Sequence, residues 1–171
     1  MPDPHIELIA RGVLVRDARI LVCRNIKGGY SYLPGGHVEF GEPAALSLAR
    51  EVAEETGLRA RVGGMLLCSE HTFTSGKGRT HHEVNLVFEL LGVQNEAGDD
   101  AADVASVEPE IAFDWVELAA LHETDLRPGE IKAWLMADGE LGHESPIGWL
   151  SACDPGLVPD AAAGGKRGAG R

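Results

Sequence analysis

The chain predicts an α/β fold in which a mixed β-sheet lies between helices, an α/β/α sandwich. Three observations carry that expectation. Runs rich in β-branched and aromatic residues recur at Ile6–Val15, Arg19–Arg24, Arg59–Thr74, His81–Leu91 and Phe113–Leu118. A helical stretch, Pro43–Thr56, interrupts them, and a second, Pro128–Ala137, follows them, so both faces of a sheet can be covered. The length of 171 residues suits one domain with a core of its own, expected over residues 1–156. Residues 157–171 end in AAAGGKRGAGR, which has no core-forming residue, and are expected to be a disordered tail.

Taken in order, Ile6–Val15 and Arg19–Arg24 read as a hairpin closed by a turn at Arg16–Ala18. Arg11 and Arg24 lie in or at the ends of these runs, where each could reach a substrate phosphate or base edge or sit on a solvated strand face. Lys27-Gly28-Gly29 marks a turn. YSYLPGG, Tyr30 to Gly36, is a short extended segment broken at Pro34 and turned by two glycines, which let the backbone approach a ligand closely. Pro43 suits a first helical turn and Gly57 a left-handed cap, and the Ala, Leu and Glu between them favour helix.

Beyond that helix, Arg59–Thr74 reads as a strand broken at Gly63-Gly64. TFTSGKGRT, Thr72 to Thr80, reads as a loop whose Lys77 and Arg79 are candidates for substrate contact. His81–Leu91 alternates, with Val84, Leu86, Phe88 and Leu90 expected on the buried face of a central strand. His81 and His82 stand at its start, where an imidazole could move a proton or bond a base. The segment 92–110 is acidic and short of aromatics, as in a disordered insertion or a lid. FDWVEL, Phe113 to Leu118, reads as the next strand with Trp115 in the core, and Ile131, Trp134 and Leu135 share one side of the last helix. His143–Leu150 is expected to be a loop or edge strand.

Composition sets limits. A net charge of −12 disfavours general nucleic-acid binding, and no apolar run is long enough to span a bilayer, so the expectation is a cytoplasmic protein. Cys23, Cys68 and Cys153 show no C-x-x-C pairing, which argues against a disulfide framework or a zinc site, and neither His81 nor His82 has a zinc-ligand spacing with another His or Cys.

The chemistry concentrates in GHVEFGEPAALSLAREVAEETGL, Gly36 to Leu58. At about 100° per residue, Glu51, Glu54 and Glu55 share one side of the helix while Leu46, Ala49, Val52 and Ala53 occupy the other. Arg50 is the only cation in the helix. A solvated acidic face and a site for a hard divalent cation both fit three carboxylates so placed.

Gly36, Glu42, Arg50, Glu51, Val52, Glu54, Glu55, Gly57 and Leu58 match the fixed positions of the Nudix box, so this stretch resembles the Nudix hydrolase family, as do YSYLPGG and FDWVEL. The resemblance implies a Nudix-type α/β/α sandwich and hydrolysis of a diphosphate in a nucleoside diphosphate derivative. It implies Mg²⁺, or Mn²⁺, held by Glu51, Glu54 and Glu55 beside the carbonyl of Gly35. It also casts Arg50 and Glu42 as the pair that orients those ligands, although Glu42 also suits a helix start. A loop glutamate near Glu108 or Glu110 would serve as a further ligand or base, with no motif to choose between them. Motifs that mark the ADP-ribose, dinucleoside polyphosphate, NADH and coenzyme A branches are absent, which favours a nucleoside triphosphate or related small nucleotide. A Nudix-fold module that senses a nucleotide without cleaving it is the alternative, and a homodimer would be in keeping with the fold.

Overall fold

The computed structural model describes residues 5–137 and 147–153. Its strands are β1 (Ile6–Val13), β2 (Val15–Arg16), β3 (Arg19–Asn25), β4 (Ser31–Tyr32), β5 (Arg59–Thr74), β6 (Thr80–Gln94), β7 (Ile111–Glu117) and β8 (Gly148–Ala152). Its helices are α1 (Ala44–Thr56) and α2 (Gly129–Ala137), with a 3₁₀ turn at Leu118–Glu123. One sheet runs β1-β6-β5-β8; in the other, β3 pairs with β2, β4 and β7. β1 and β8 run parallel to their neighbours β6 and β5, whereas β5 and β6 form a long antiparallel pair.

Two apolar clusters fix the layers. Val13, Ile20, Val22, Leu67 and Val87 from both sheets pack with Ile131 and Leu135 of α2. Ala10, Leu21, Leu90 and Val93 pack with Leu48 and Val52 of α1. Burying such branched side chains contributes about 1.5–3 kcal/mol each, enough to hold helices against the sheets. The mixed α/β architecture expected from the sequence is therefore present, with its strands divided between two sheets.

Helix α1 starts after Pro43, whose φ of −65° suits a helix entry, and ends at Gly57, whose φ of 71° puts its N–H on the Ala53 carbonyl. The segment ahead of it is stitched to β1. Gly12 N–H donates to Pro34 O, Ala10 N–H to Gly36 O, and Val38 N–H to Leu8 O, each at 2.9 Å. β1 is thus bonded on one side to β6 and on the other to the glycine segment.

Several expectations need correction. The hairpin is confined to Val15–Arg16 against Arg19–Ile20, while Ile6–Val13 pairs with β6. Asp17 and Ala18 both take positive φ, which makes a tight two-residue turn and leaves the preceding strand free to enter the other sheet. Gly63-Gly64 does not break β5; the pairing shifts register there and the strand continues. The loop at Thr72–Thr80 shrinks to 75–79, because β5 extends to Thr74 and β6 begins at Thr80. Of the β6 residues expected to be buried only Leu90 is; Val84, Leu86 and Phe88 are half-buried, while Asn85 and Val87 on the opposite face are fully buried, as is Val93. Both faces of the strand are covered, Val87 packing with the cluster around α2 and Leu90 with the cluster around α1, so simple alternation fails. The acidic segment 92–110 is an ordered connection, not a disordered insertion. Ala101 N–H donates to Val93 O, Val104 is buried, and Val107 N–H donates to Glu55 O. His143–Pro146 and 157–171 lie outside the described residues.

Candidate active site

Arg50 organises the acidic side of α1. Its Nε and Nη2 donate to the two carboxylate oxygens of Glu42, each at 3.0 Å, in a two-pronged fork. Its Nη1 reaches Glu51 Oε1 at 3.0 Å and Glu54 Oε2 at 3.1 Å, and Nη2 also donates to the His37 carbonyl. One guanidinium therefore touches three carboxylates. The fork holds the Glu42 carboxyl below its ordinary range and pushes Arg50 up.

The glycines make room for this array. A Cβ on Gly36 would stand 2.5 Å from the Glu51 carboxyl carbon, so only hydrogen lets that carboxylate lie against the backbone. Gly35 has a φ of +121°, and a Cβ there would collide with the Ala10 carbonyl oxygen. The Gly35 N–H faces the Glu55 carboxylate, while its carbonyl accepts from Arg11 Nη1 at 2.6 Å.

Glu55 differs from its two neighbours. Its side chain is buried, and Oε2 has no hydrogen-bond partner among the described residues. Burial pushes its carboxyl up to about 7, with Glu51 and Glu108 adding repulsion against the pull of Arg11 and of the Gly35 N–H. In the metal-free protein the folded state then holds a proton that the unfolded state releases. Stability should be highest below the ordinary carboxyl value of 4.5, fall as pH rises from there to about 7, and level off above. Chemical denaturation of the chelator-treated protein across that window checks this, with Glu55→Gln expected to flatten the slope.

A polar face leads away from Glu55 between the sheets. Arg11 donates to the carbonyls of Leu33 and Gly35, lies under the Tyr32 ring at 4.9 Å, and feels the charges of Glu83 and Glu55. Asn85 is fully buried, and neither atom of its carboxamide has a partner among the described residues; the same holds for Ser69 Oγ opposite it. His71 lies beside them, 3.5 Å from Glu83 and 3.4 Å from Glu130. Asn85, Ser69, His71, Glu83 and Glu130 were not singled out by sequence. The signal for four of them was weak, polar side chains at alternate positions of two strands, and Glu130 comes from α2.

The remaining candidates scatter. Arg24 pairs with Asp114 at 2.5 Å, both half-buried, across the β3–β7 pair. Lys77 is exposed in the β5–β6 turn. Arg79 and His81 line a depression of about 460 Å³ with Glu7 and His37, and there Glu7 accepts from His81 at 2.9 Å and lies 3.2 Å from His37. His82 points to the other side of β6, 3.7 Å from Cys153 Sγ. Glu108 is near enough to raise the Glu55 carboxyl, whereas Glu110 is tied to β3 by its carbonyl, which accepts from Ile26 N–H.

Comparison with known proteins agrees with this geometry. A NUDIX domain model matches residues 7–135. An ADP-ribose pyrophosphatase of Methanocaldococcus jannaschii is 32% identical over 120 residues, spanning 64% of this chain and 69% of the relative. A putative 8-oxo-dGTP diphosphatase 2 of Mycobacterium tuberculosis is 31% identical over 140 residues, spanning 75% and 85%. Among solved structures, a MutT NUDIX hydrolase from Burkholderia pseudomallei superposes with a TM-score of 0.54 at 26% identity, covering 67% of this chain and 85% of that one. A MutT protein from Methanosarcina mazei shares the fold, with a TM-score of 0.59 at 22% identity over 80% of this chain and 94% of the other. With its glutamates gathered on α1, its glycine segment fitted around them and this match across most of its length, the chain belongs to the Nudix hydrolase family.

Proposed function

We propose that the protein is a Mg²⁺- or Mn²⁺-dependent pyrophosphohydrolase that cleaves a diphosphate linkage in a nucleoside triphosphate or related nucleoside diphosphate derivative. The observation that carries this reading is the pairing of an unpartnered, buried Glu55 Oε2 with the Arg50-held carboxylates of Glu51 and Glu54. An oxygen-only donor set of this kind suits a hard divalent cation, with Glu51, Glu54 and Glu55 holding it beside Gly35. Bound there, the ion would offset the charge of the diphosphate and make a coordinated water more acidic.

The chain's own residues supply the rest. Arg50 and Glu42 fix the rotamers of the metal-facing carboxylates, so the array is aimed before anything binds. Glu108, whose charge reaches Glu55, is the loop glutamate assigned here to take the proton from the attacking water. Water attacks phosphorus, the P–O bond to the leaving phosphoryl oxygen breaks, and a monophosphate departs from a phosphorylated remainder. Arg11, Asn85 and Ser69 line the inter-sheet face where the non-hydrolysed part of the substrate would rest, with unpaired donors and acceptors to receive it. The substrates in the two relatives' names, ADP-ribose and 8-oxo-dGTP, fall within this class.

Monophosphate and pyrophosphate release over nucleoside triphosphates, oxidised triphosphates, ADP-ribose and nucleotide sugars, with Mg²⁺ or Mn²⁺, tests the reading. Metal-dependent turnover of at least one is expected. Tight binding with no turnover across the panel would instead identify a sensing module. Independently, Mg²⁺ at about a hundred times its dissociation constant should raise the melting temperature by roughly 5–10 °C, because only the folded array binds it. An unmoved melt would count against the cation site.

A further inference from the structure

We propose that Glu70, His82 and Cys153 form a second metal site, one that takes a thiophilic divalent cation of the zinc class on the sheet face opposite Asn85 and Ser69. The site arises from register. Thr72 pairs with His82 and Glu70 with Val84 across β5–β6, while Glu70 pairs with Ser151 across β5–β8. Side chains two residues apart on a strand share a face, so Glu70, His82 and Cys153 come from three adjacent strand lines and meet on one side.

The distances suit a shared ion. One ligand atom from each residue lies within 4.8 Å of the other two, and all three residues are half-buried. His82 Nε2 and Cys153 Sγ are 3.7 Å apart. With Zn–S near 2.3 Å and Zn–N near 2.05 Å, the S···N edge of a tetrahedron is about 3.6 Å. The Cys153 thiol also bonds the Glu70 carboxylate, so thiol, imidazole and carboxylate already converge on one point. Glu70 is itself positioned: Ser151 Oγ donates to its Oε1 at 2.7 Å, which leaves the other oxygen available.

The donor chemistry separates this site from the glutamates of α1. Thiolate and imidazole favour zinc over magnesium, while an all-oxygen set favours the reverse. Sequence spacing could not reveal it, because His82 and Cys153 are 71 positions apart and share no motif. Its structural effect is local. β8 joins the sheet through five parallel pairs and is the outermost strand among the described residues, and an ion would tie the end of that strand across to β6.

The test uses full-length protein, reduced and stripped by chelator, in millimolar Mg²⁺ so that oxygen-only sites are filled. Zn²⁺ is titrated against a chromophoric chelator, and Co²⁺ serves as the spectroscopic probe. The expected result is one equivalent of Zn²⁺ bound, with thiolate-to-metal charge-transfer absorption from Co²⁺. Cys153→Ser should weaken Zn²⁺ binding by about tenfold or more and abolish that absorption, and His82→Gln should weaken binding similarly. Glu54→Gln should leave both readouts unchanged, which separates this site from the catalytic one. Absence of Zn²⁺ uptake overturns the proposal, as does uptake that survives Cys153→Ser undiminished.

Discussion

Glu54→Gln should fold as the parent does and turn over substrate about a thousandfold more slowly. The two side chains have the same shape, and Glu54 is the most exposed of the three helix glutamates, with its side chain 57% accessible. Its contact with Arg50 is a surface ion pair, and losing one costs at most about 1 kcal/mol. Stability is therefore nearly untouched. What disappears is one negative charge from the array that would hold the cation against the diphosphate, and a neutral amide oxygen is a far poorer ligand for a hard ion. Steady-state kinetics at saturating Mg²⁺, with a melting curve alongside, distinguishes the two effects. Near-parental turnover would remove Glu54 from the site.

Arg50→Lys should lower turnover by about 10- to 100-fold and raise the Mg²⁺ concentration needed for half-maximal rate. The substitution keeps the charge, so electrostatics alone predicts little change. Geometry predicts otherwise. The guanidinium grips Glu42 with two nitrogens while also reaching Glu51, Glu54 and the His37 carbonyl. An ammonium offers three donors from a single point and cannot fork onto one carboxylate while spanning two others. Glu51 and Glu54 would then sample several rotamers, and the cation would bind a less ordered set. Metal-dependent kinetics of the lysine variant measure this; an unchanged Mg²⁺ dependence would show that charge, not the fork, is what matters at position 50.

How much was legible in the sequence follows from the range of the interactions involved. Helix α1 and its cap at Gly57 are local consequences of helical periodicity and appear as expected, but its buried side holds Glu55 with Leu48 and Val52 and leaves Leu46 exposed. The arginine fork spans eight residues between Glu42 and Arg50, still within one loop and helix. Features set by distant pairing were misread. β1 looked like half of a hairpin because its neighbour in sequence was also a strand, whereas its partner is β6. Asn85 reads as an outward residue because alternation assumes one covered face, whereas β6 is packed on both. The acidic connection looked unstructured on composition, yet Val104 and the bond from Val107 to Glu55 anchor it, two contacts that no compositional average can reveal.

Consider finally the three backbone bonds that join Pro34, Gly36 and Val38 to β1. They make the glycine segment an extra rung beside β1, so the amides in these bonds should exchange with the slow kinetics of a core strand. Val38 on the segment, and Ala10 and Gly12 on β1, are the amides to watch by deuterium labelling. A floor this rigid would present any metal or substrate bound there with a surface already set, leaving little ordering entropy to be lost on binding.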